Sequence, residues 1–261
     1  MRQLKLFQTQ NEFLVEKPNL PYPCVSYVEE TKKVEYQTKE SQTNEYEFVD
    51  LGLNVQWASC NVGATKPEES GLYFAWGETK GYKVEKGNLV DEEWQVYEAI
   101  ITNADGSETT KQFLSDFSDY EHYDVKTQSF TKYNGTDDLT VLQSEDDACS
   151  LLDSSMRMPT REECQELLAN TTSAWTKNYN DSGINGITLT SNINGNSIFV
   201  PAVGSVVEGV LVNFGLGGFL WSSSLDSSNV EDAFSFLFSS DGAIVDYDSR
   251  FSGFPLRAVR P

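Results

Sequence analysis

No stretch of this chain approaches the ~20 apolar residues that a helix needs to cross a bilayer. The opening MRQLKLFQTQNEFLVEK also lacks the apolar core of a secretory leader, so the expectation is synthesis in the cytosol without membrane insertion. Positive charge is scarce as well: 19 Lys and Arg stand against 40 Asp and Glu, a formal net charge of −21. A phosphate backbone needs a basic stripe and an anionic bilayer needs a basic patch. Neither nucleic acid nor anionic lipid is therefore expected as a partner.

Other absences bear on chemistry. Histidine occurs once, at His122 inside the polar tract DFSDYEHYD, where a solvent-exposed loop residue is expected rather than the base of a nucleophilic triad. The four cysteines, Cys24, Cys60, Cys149 and Cys164, show no CxxC or metal-like spacing and read as reduced core residues. GLGG at 215–218 lacks the spacing and the lysine of a phosphate-cradling loop. Asp116, Asp119, Glu121 and Asp124 offer oxygen atoms that suit calcium, but without EF-hand spacing, and a solvated acidic loop is the expectation. No catalytic residue, metal ligand or cofactor is assigned. A structural calcium remains an option that no specific motif supports.

What is present is a globular composition. Apolar residues make up 39% and aromatics 12%, enough to separate the chain from disordered sequences. Residues 1–45 hold two short strand patterns, Cys24–Val28 and Lys33–Gln37, after Pro21 and Pro23. That is too little for a core, so an arm or connector is expected. From Glu47 the texture thickens: Leu51, Leu53, Val55 and Trp57 alternate, and LYFAWGE reads as a further strand. Residues 82–138 are polar and read as a loop-rich insertion. A short helix is expected through Asp146–Leu152. A second follows Thr160, whose spacing to Glu163 makes a capping box and sets Cys164, Leu167 and Leu168 on one face. Strands are then expected at Gly186–Thr190, Asn196–Pro201, Leu220–Ser223, Ala233–Phe238, Ala243–Asp246 and Leu256–Val259. The class is α+β, with two helices, short antiparallel strands and much irregular loop.

The ordered segments VDLGLNVQWASCNVGA (49–64), YFAWGE (73–78), TKYN (131–134), EDDAC (145–149), RMPTREECQELL (157–168), FVPAVG (199–204), FLWSSS (219–224) and RFSGFPLRAVR (250–260) resemble a recurring domain of gut bacteria and their phages. The resemblance covers residues 46–261. It implies a C-type-lectin-like fold, in the branch that holds formylglycine-generating enzymes and the variable proteins of diversity-generating retroelements. The enzymes of that branch carry a reactive cysteine pair late in the domain. No cysteine lies beyond Cys164 here, which argues against that activity. Residues 1–45 resemble segments near the start of phage tail proteins. The resemblance thus implies a non-catalytic receptor-binding protein at a phage tail tip, made in the host cytoplasm and assembled into the virion. Its partner would be a bacterial surface protein or glycan, and residues 1–45 could support a homotrimer. The alternative is an undiversified bacterial adhesin of the same fold, at the cell surface or secreted.

The last fifty-odd residues, 211–261, contain no Lys, Gln, Met or His. Retroelement mutation at template adenines can turn AAY codons into many residues but never into Lys, Gln or Met, so this segment is the candidate variable region. Within it, Phe234, Phe236 and Phe238 alternate with Ser235 and Leu237, which predicts three core phenylalanines and two outward residues. The expected ligand-binding set is Phe219, Leu225, Asp226, Asp232, Ser235, Leu237, Ile244, Asp246, Tyr247 and Asp248. Trp221, Ser222–Ser224, Arg250, Gly253 and Arg257 are expected as the fixed frame, with the arginines bonding carbonyls or carboxylates.

Overall fold

A computed structural model of the chain describes residues 46–84, 114 and 116–261, together with the backbones of six further short strands. Contacts divide the chain into two compact units: Met1–Glu45 with Thr102–Ser107, and Tyr46–Ile101 with Glu108–Pro261. The first unit holds a sheet of β1 (Leu4–Phe7), β2 (Cys24–Val28) and β3 (Lys33–Gln37), in which β2 pairs antiparallel with β3. Pro21, Pro23 and the side chain of Cys24 lie outside the described residues.

The second unit begins with β4 (Phe48–Val49), β5 (Gln56–Ala58) and β6 (Tyr73–Phe74). The alternating Leu51, Val55 and Trp57 are buried as expected, but most of that run is loop, because Gly52 takes a positive φ of 72°. Strand backbones follow at β7 (Trp94–Gln95), β8 (Ala99–Thr102) and β9 (Glu108–Lys111), then a small hairpin of β10 (Tyr123–Asp124) and β11 (Ser129–Phe130). Two helices come next. α1 (Ala148–Leu152) is capped by Asp147, whose side chain accepts from the Cys149 and Ser150 amides. α2 (Arg161–Asn170) has both halves of its capping box, with Cys164 and Leu167 buried.

Ten strands complete the chain. β12 (Thr171–Thr176), β13 (Gly186–Ser191) and β14 (Ser197–Pro201) form an antiparallel sheet. β15 (Val203–Val207), β16 (Val210–Phe214), β17 (Gly217–Leu225), β18 (Asp232–Ser239) and β19 (Gly242–Ser249) join β7 in a six-stranded sheet, ordered β19-β18-β17-β15-β16-β7. β20 (Phe254–Pro255) pairs with β6, and β21 (Val259–Arg260) pairs with β5. The end of the unit is thereby sewn to its beginning.

The larger sheet turns at a parallel bridge between Gly204 of β15 and Gly218 of β17. Glycine is required at both positions. A Cβ on Gly204, at φ 68°, would lie 2.0 Å from the Val212 carbonyl oxygen, and one on Gly218 would lie 2.1 Å from the Phe238 ring. The class is α+β as expected: mostly strands, two helices and a curled sheet. Among the described residues no helix is long and apolar enough to cross a membrane.

One expectation fails clearly. His122 is not an exposed loop residue: only 6% of it is accessible. Its Nε2 lies 3.2 Å from the Gly77 carbonyl oxygen and 3.7 Å from Asp146 Oδ1. Within the same polar stretch, Tyr82, Leu114, Tyr120 and Tyr133 are also buried. Their hydrophobic faces pack inward while Asp116, Ser118, Asp119, Thr127 and Ser129 stay exposed, which gives a low average hydropathy to a segment with a genuine core contribution.

Candidate functional site

The site is built on β17, β18 and β19, and it depends on what holds those strands. Trp221 of β17 donates its indole N–H to the Phe74 carbonyl at 2.9 Å, and Trp76 donates to the Ser222 carbonyl at 2.8 Å. The two indoles thus clasp β17 to the β6 segment in both directions. Residues Ser222–Ser224 fall where the β17–β18 register shifts, so their backbone groups are not all used by the ladder. Their hydroxyls replace it. Ser222 Oγ donates to the Phe234 carbonyl, Ser223 Oγ donates to the Pro159 carbonyl, and Ser224 Oγ accepts from the first amide of α2. Gly253 exchanges backbone bonds with Val206.

The two arginines behave as expected, and both bind carbonyls. Arg250 is fully buried. It donates to the Tyr133, Val230 and Lys132 carbonyls and to Tyr120 Oη, and its guanidinium lies 4.3 Å from the Phe130 ring centre. Arg257, also fully buried, donates to Asn61 Oδ1 and to the Ala58 and Phe199 carbonyls, joining β5 to β14. Burial pushes its pKa down to about 10, still far above neutral, so the charge remains.

On this frame the register sorts the expected ligand-binding residues. Phe219, Leu237 and Ile244 are direct cross-strand neighbours and form one row on one face. The adjacent row on that face is Trp221, Ser235 and Asp246, followed by Ala233 beside Asp248. The opposite face carries Leu220, Phe236, Phe238 and Val245, which meet Cys164 and Leu167 of α2 in the core. Asp232 and Tyr247 belong to that opposite face, so the structure does not bring them together with Ile244.

Three of the expected residues are buried and are corrected here. Leu225 retains 3% accessibility and packs in the core with Trp221 and Ala233. Asp226 is 6% accessible because its carboxylate turns inward to accept from the Ser228 amide and hydroxyl. Ser235 is fully covered and donates to Asp248 Oδ2 at 3.3 Å. The phenylalanine pattern needs correction too. Phe236 and Phe238 are core, but Phe234 is half-buried under the Arg161 guanidinium, 3.9 Å from its ring centre, and meets Tyr247 edge-on. Ile244 and Tyr247 are the open positions, at 55% and 54% accessibility. Asp246 is exposed, while Phe219, Asp232, Leu237 and Asp248 are half-buried.

A groove of about 560 Å³ opens beside the Phe219–Leu237–Ile244 row. Next toward the hairpin tip is the row Gly217, Ser239 and Gly242, nearly bare of side chains, and Leu216 stands beside it at 70% accessibility. Asn213 and Asp241 supply polar groups at the margin. Sequence reasoning missed Leu216, Asn213, Ser239 and Asp241. The glycine spacing around Leu216 was the available signal, since glycines beside one large apolar residue leave it room to stand free. Asp248 lies along the same face. Burial, opposed by the Ser235 hydrogen bond and helped by the nearby Asp246 and Asp232 charges, raises its pKa to about 6.

The carboxylates at Asp116 and Asp124 serve local turns. Asp116 accepts from the Ser118 amide and Asp124 from the Lys126 amide, each closing its own turn. Among the described residues no cluster of three or more His, Cys, Asp or Glu could hold a metal ion. Comparison with known proteins returns no match to a protein-family model, to a curated protein or to a solved structure.

Proposed function

We propose that this chain is a non-catalytic ligand-binding protein of C-type-lectin-like fold whose C-terminal strands β17–β19 form the reading surface. The observation that carries the reading is the contrast within those strands. One face is locked into the core beneath α2, and the other presents Leu216, Phe219, Leu237 and Ile244 around an open groove. Exposed aliphatic side chains on a rigid sheet are poorly suited to a surface that binds nothing. Two helices, short strands and a last strand paired with β5 near the start of the same unit support the fold assignment.

The setting proposed is a phage tail tip that recognises a bacterial surface protein or glycan, with the C-terminal segment diversified by a retroelement and residues 1–45 serving for trimerisation. Sequencing the DNA around the gene tests the diversification. A reverse transcriptase with a near-identical template repeat is the expected result, and a locus without them overturns it. Light scattering on the full chain and on a 46–261 fragment tests the arm, which has no role if both are monomers.

A second reading is favoured by one observation. The run without Lys, Gln, Met or His begins directly after Lys177 and spans β13 to β16, including the core residues Ile187, Leu189 and Val200. Mutation confined to residues 211–261 does not account for that upstream part. An undiversified adhesin with the same surface is therefore the alternative.

A further inference from the structure

The groove has a chemistry that selects among ligands, and it rests on the reading that the β17–β19 face binds one. Its walls are aliphatic or aromatic: Leu216, Phe219, Leu237 and Ile244. Its polar margin is sparse, with Asn213, Ser239 and Asp241. Sugars are held by dense, convergent hydrogen-bonding groups, and a margin this thin against an apolar wall suits a side chain better than a ring of hydroxyls.

Charge points the same way. Asp241 lines the groove, and Asp246 lies one row beyond Ile244 on the same face, exposed. No compensating cation stands among the described residues of these strands. Arg250 and Arg257, which follow in sequence, are fully buried and committed to carbonyls, and Arg161 lies over Phe234 on the opposite face. A second copy of this chain would bring like charge against like charge at Asp241 and Asp246, on top of a net charge of −21 per chain. Anionic glycans meet the same repulsion.

We infer that the groove receives a protein segment carrying a large apolar side chain flanked by lysine or arginine. The apolar side chain enters between Leu216, Phe219, Leu237 and Ile244. The flanking cation sits at Asp241 or Asp246, where partial exposure makes it a contributor to association rate and selectivity rather than the main source of affinity. The backbone of the segment can run along β19, which is the terminal strand of its sheet and pairs with no further strand among the described residues.

The test uses the full-length protein against a random-peptide phage library and a glycan array in parallel. The expected result is enrichment of peptides that join an apolar residue to Lys or Arg. Binding should fall on the order of tenfold or more for Ile244→Asp. It should fall about threefold to tenfold for the Asp241→Lys, Asp246→Lys pair, and raising the salt should weaken the wild type more than that pair. All three positions are exposed, so folding is preserved, and circular dichroism checks it. Enriched peptides without basic residues, or peptide binding that ignores Ile244→Asp, overturn the inference. Glycan binding that Ile244→Asp abolishes also overturns it, while leaving the β17–β19 face as the binding surface. Ligand binding that survives Ile244→Asp and Leu237→Ala alike removes the surface itself.

Discussion

Phe236 and Leu237 are consecutive residues of β18, yet they live in different worlds. Phe236 points into the layer beneath α2 and keeps 1% of its surface, while Leu237 points to the face where the groove opens. The two faces share the same backbone, the same hydrogen bonds and nearly the same hydrophobicity. They differ in what covers them, and that is set by distant residues: Cys164 and Leu167 on one side, and the bare Gly217–Ser239–Gly242 row on the other. A sheet can thus be rigid and open at once, which is what a reading surface needs.

The largest effect should come from removing what fixes both faces together. Arg250→Met would leave the Tyr133 and Val230 carbonyls without their donor in a dry site. A loss of about 3–5 kcal/mol is expected, read as a lower denaturant midpoint, with the isosteric stem keeping cavity effects small. A loss below about 1 kcal/mol would mean that water replaces the guanidinium freely and that the hub is not structural.

The two faces can then be separated directly. Phe236→Ala should cost about 3–5 kcal/mol, as expected for a buried ring whose neighbours collapse only partly. Leu237→Ala should cost less, about 1–2 kcal/mol, because its side chain is only partly buried to begin with. Equal losses in chemical denaturation would show that the open face is covered in solution.

How much of this contrast was legible in the sequence follows from the same physics. The α2 capping box and the Arg250 and Arg257 carbonyl bonds could be anticipated, because each depends on residue type at a short spacing or on the rule that a buried guanidinium must be satisfied. The strict alternation assigned to β18 failed because both of its faces are partly covered. Ala233 and Ser235 are sealed by the Trp221 side of the core, so period two no longer separates inside from outside. His122 was misplaced because its partners, Gly77 and Asp146, are far apart in sequence. β12, β15 and β16 carried too little alternation to be seen beforehand. Of the expected ligand-binding set, Phe219, Leu237, Ile244, Asp246 and Asp248 share one face as exposed or half-buried side chains, while Leu225 and Ser235 on that face are buried.

Acidity offers a subtler probe, since a half-buried and a buried group tilt stability in opposite directions. The pKa of Asp248 rises on folding from 3.8 to about 6, chiefly through burial. Between those values the folded state holds more protons than the unfolded, so stability falls as pH rises through the window and the penalty is complete above it. Burial lowers the pKa of His122 below its usual 6.5 despite the pull of Asp146, so its contribution is lost as pH falls below 6.5. Asp248→Asn should therefore stabilise the protein at pH 7 by roughly 1–2 kcal/mol, discounted for the side chain's partial exposure. It should also leave a difference from the wild type that shrinks to near zero by about pH 4. A difference that stays constant with pH would show that Asp248 titrates as an ordinary surface carboxylate.

The smallest expected change in stability is at the position expected to matter most for binding. Ile244 exposes 55% of its surface and directly opposes only Leu237 on the next strand. Ile244→Ser therefore gives up modest burial and some strand preference, and the melting point should move by no more than about 0.5 kcal/mol allows. Its neighbour Val245 faces the α2 layer and cannot be exchanged so cheaply. Substituting both positions in turn, and reading thermal unfolding beside peptide binding, sets the two faces against each other within one dipeptide. Val245→Ser should lower stability while the folded fraction keeps its binding, and Ile244→Ser should do the reverse. That independence of fold from surface is the condition for a site whose side chains can vary without the scaffold failing. β19 meets that condition at Ile244, because the strand is fixed by its backbone ladder to β18, by Val245 against the core and by the Ser235–Asp248 hydrogen bond.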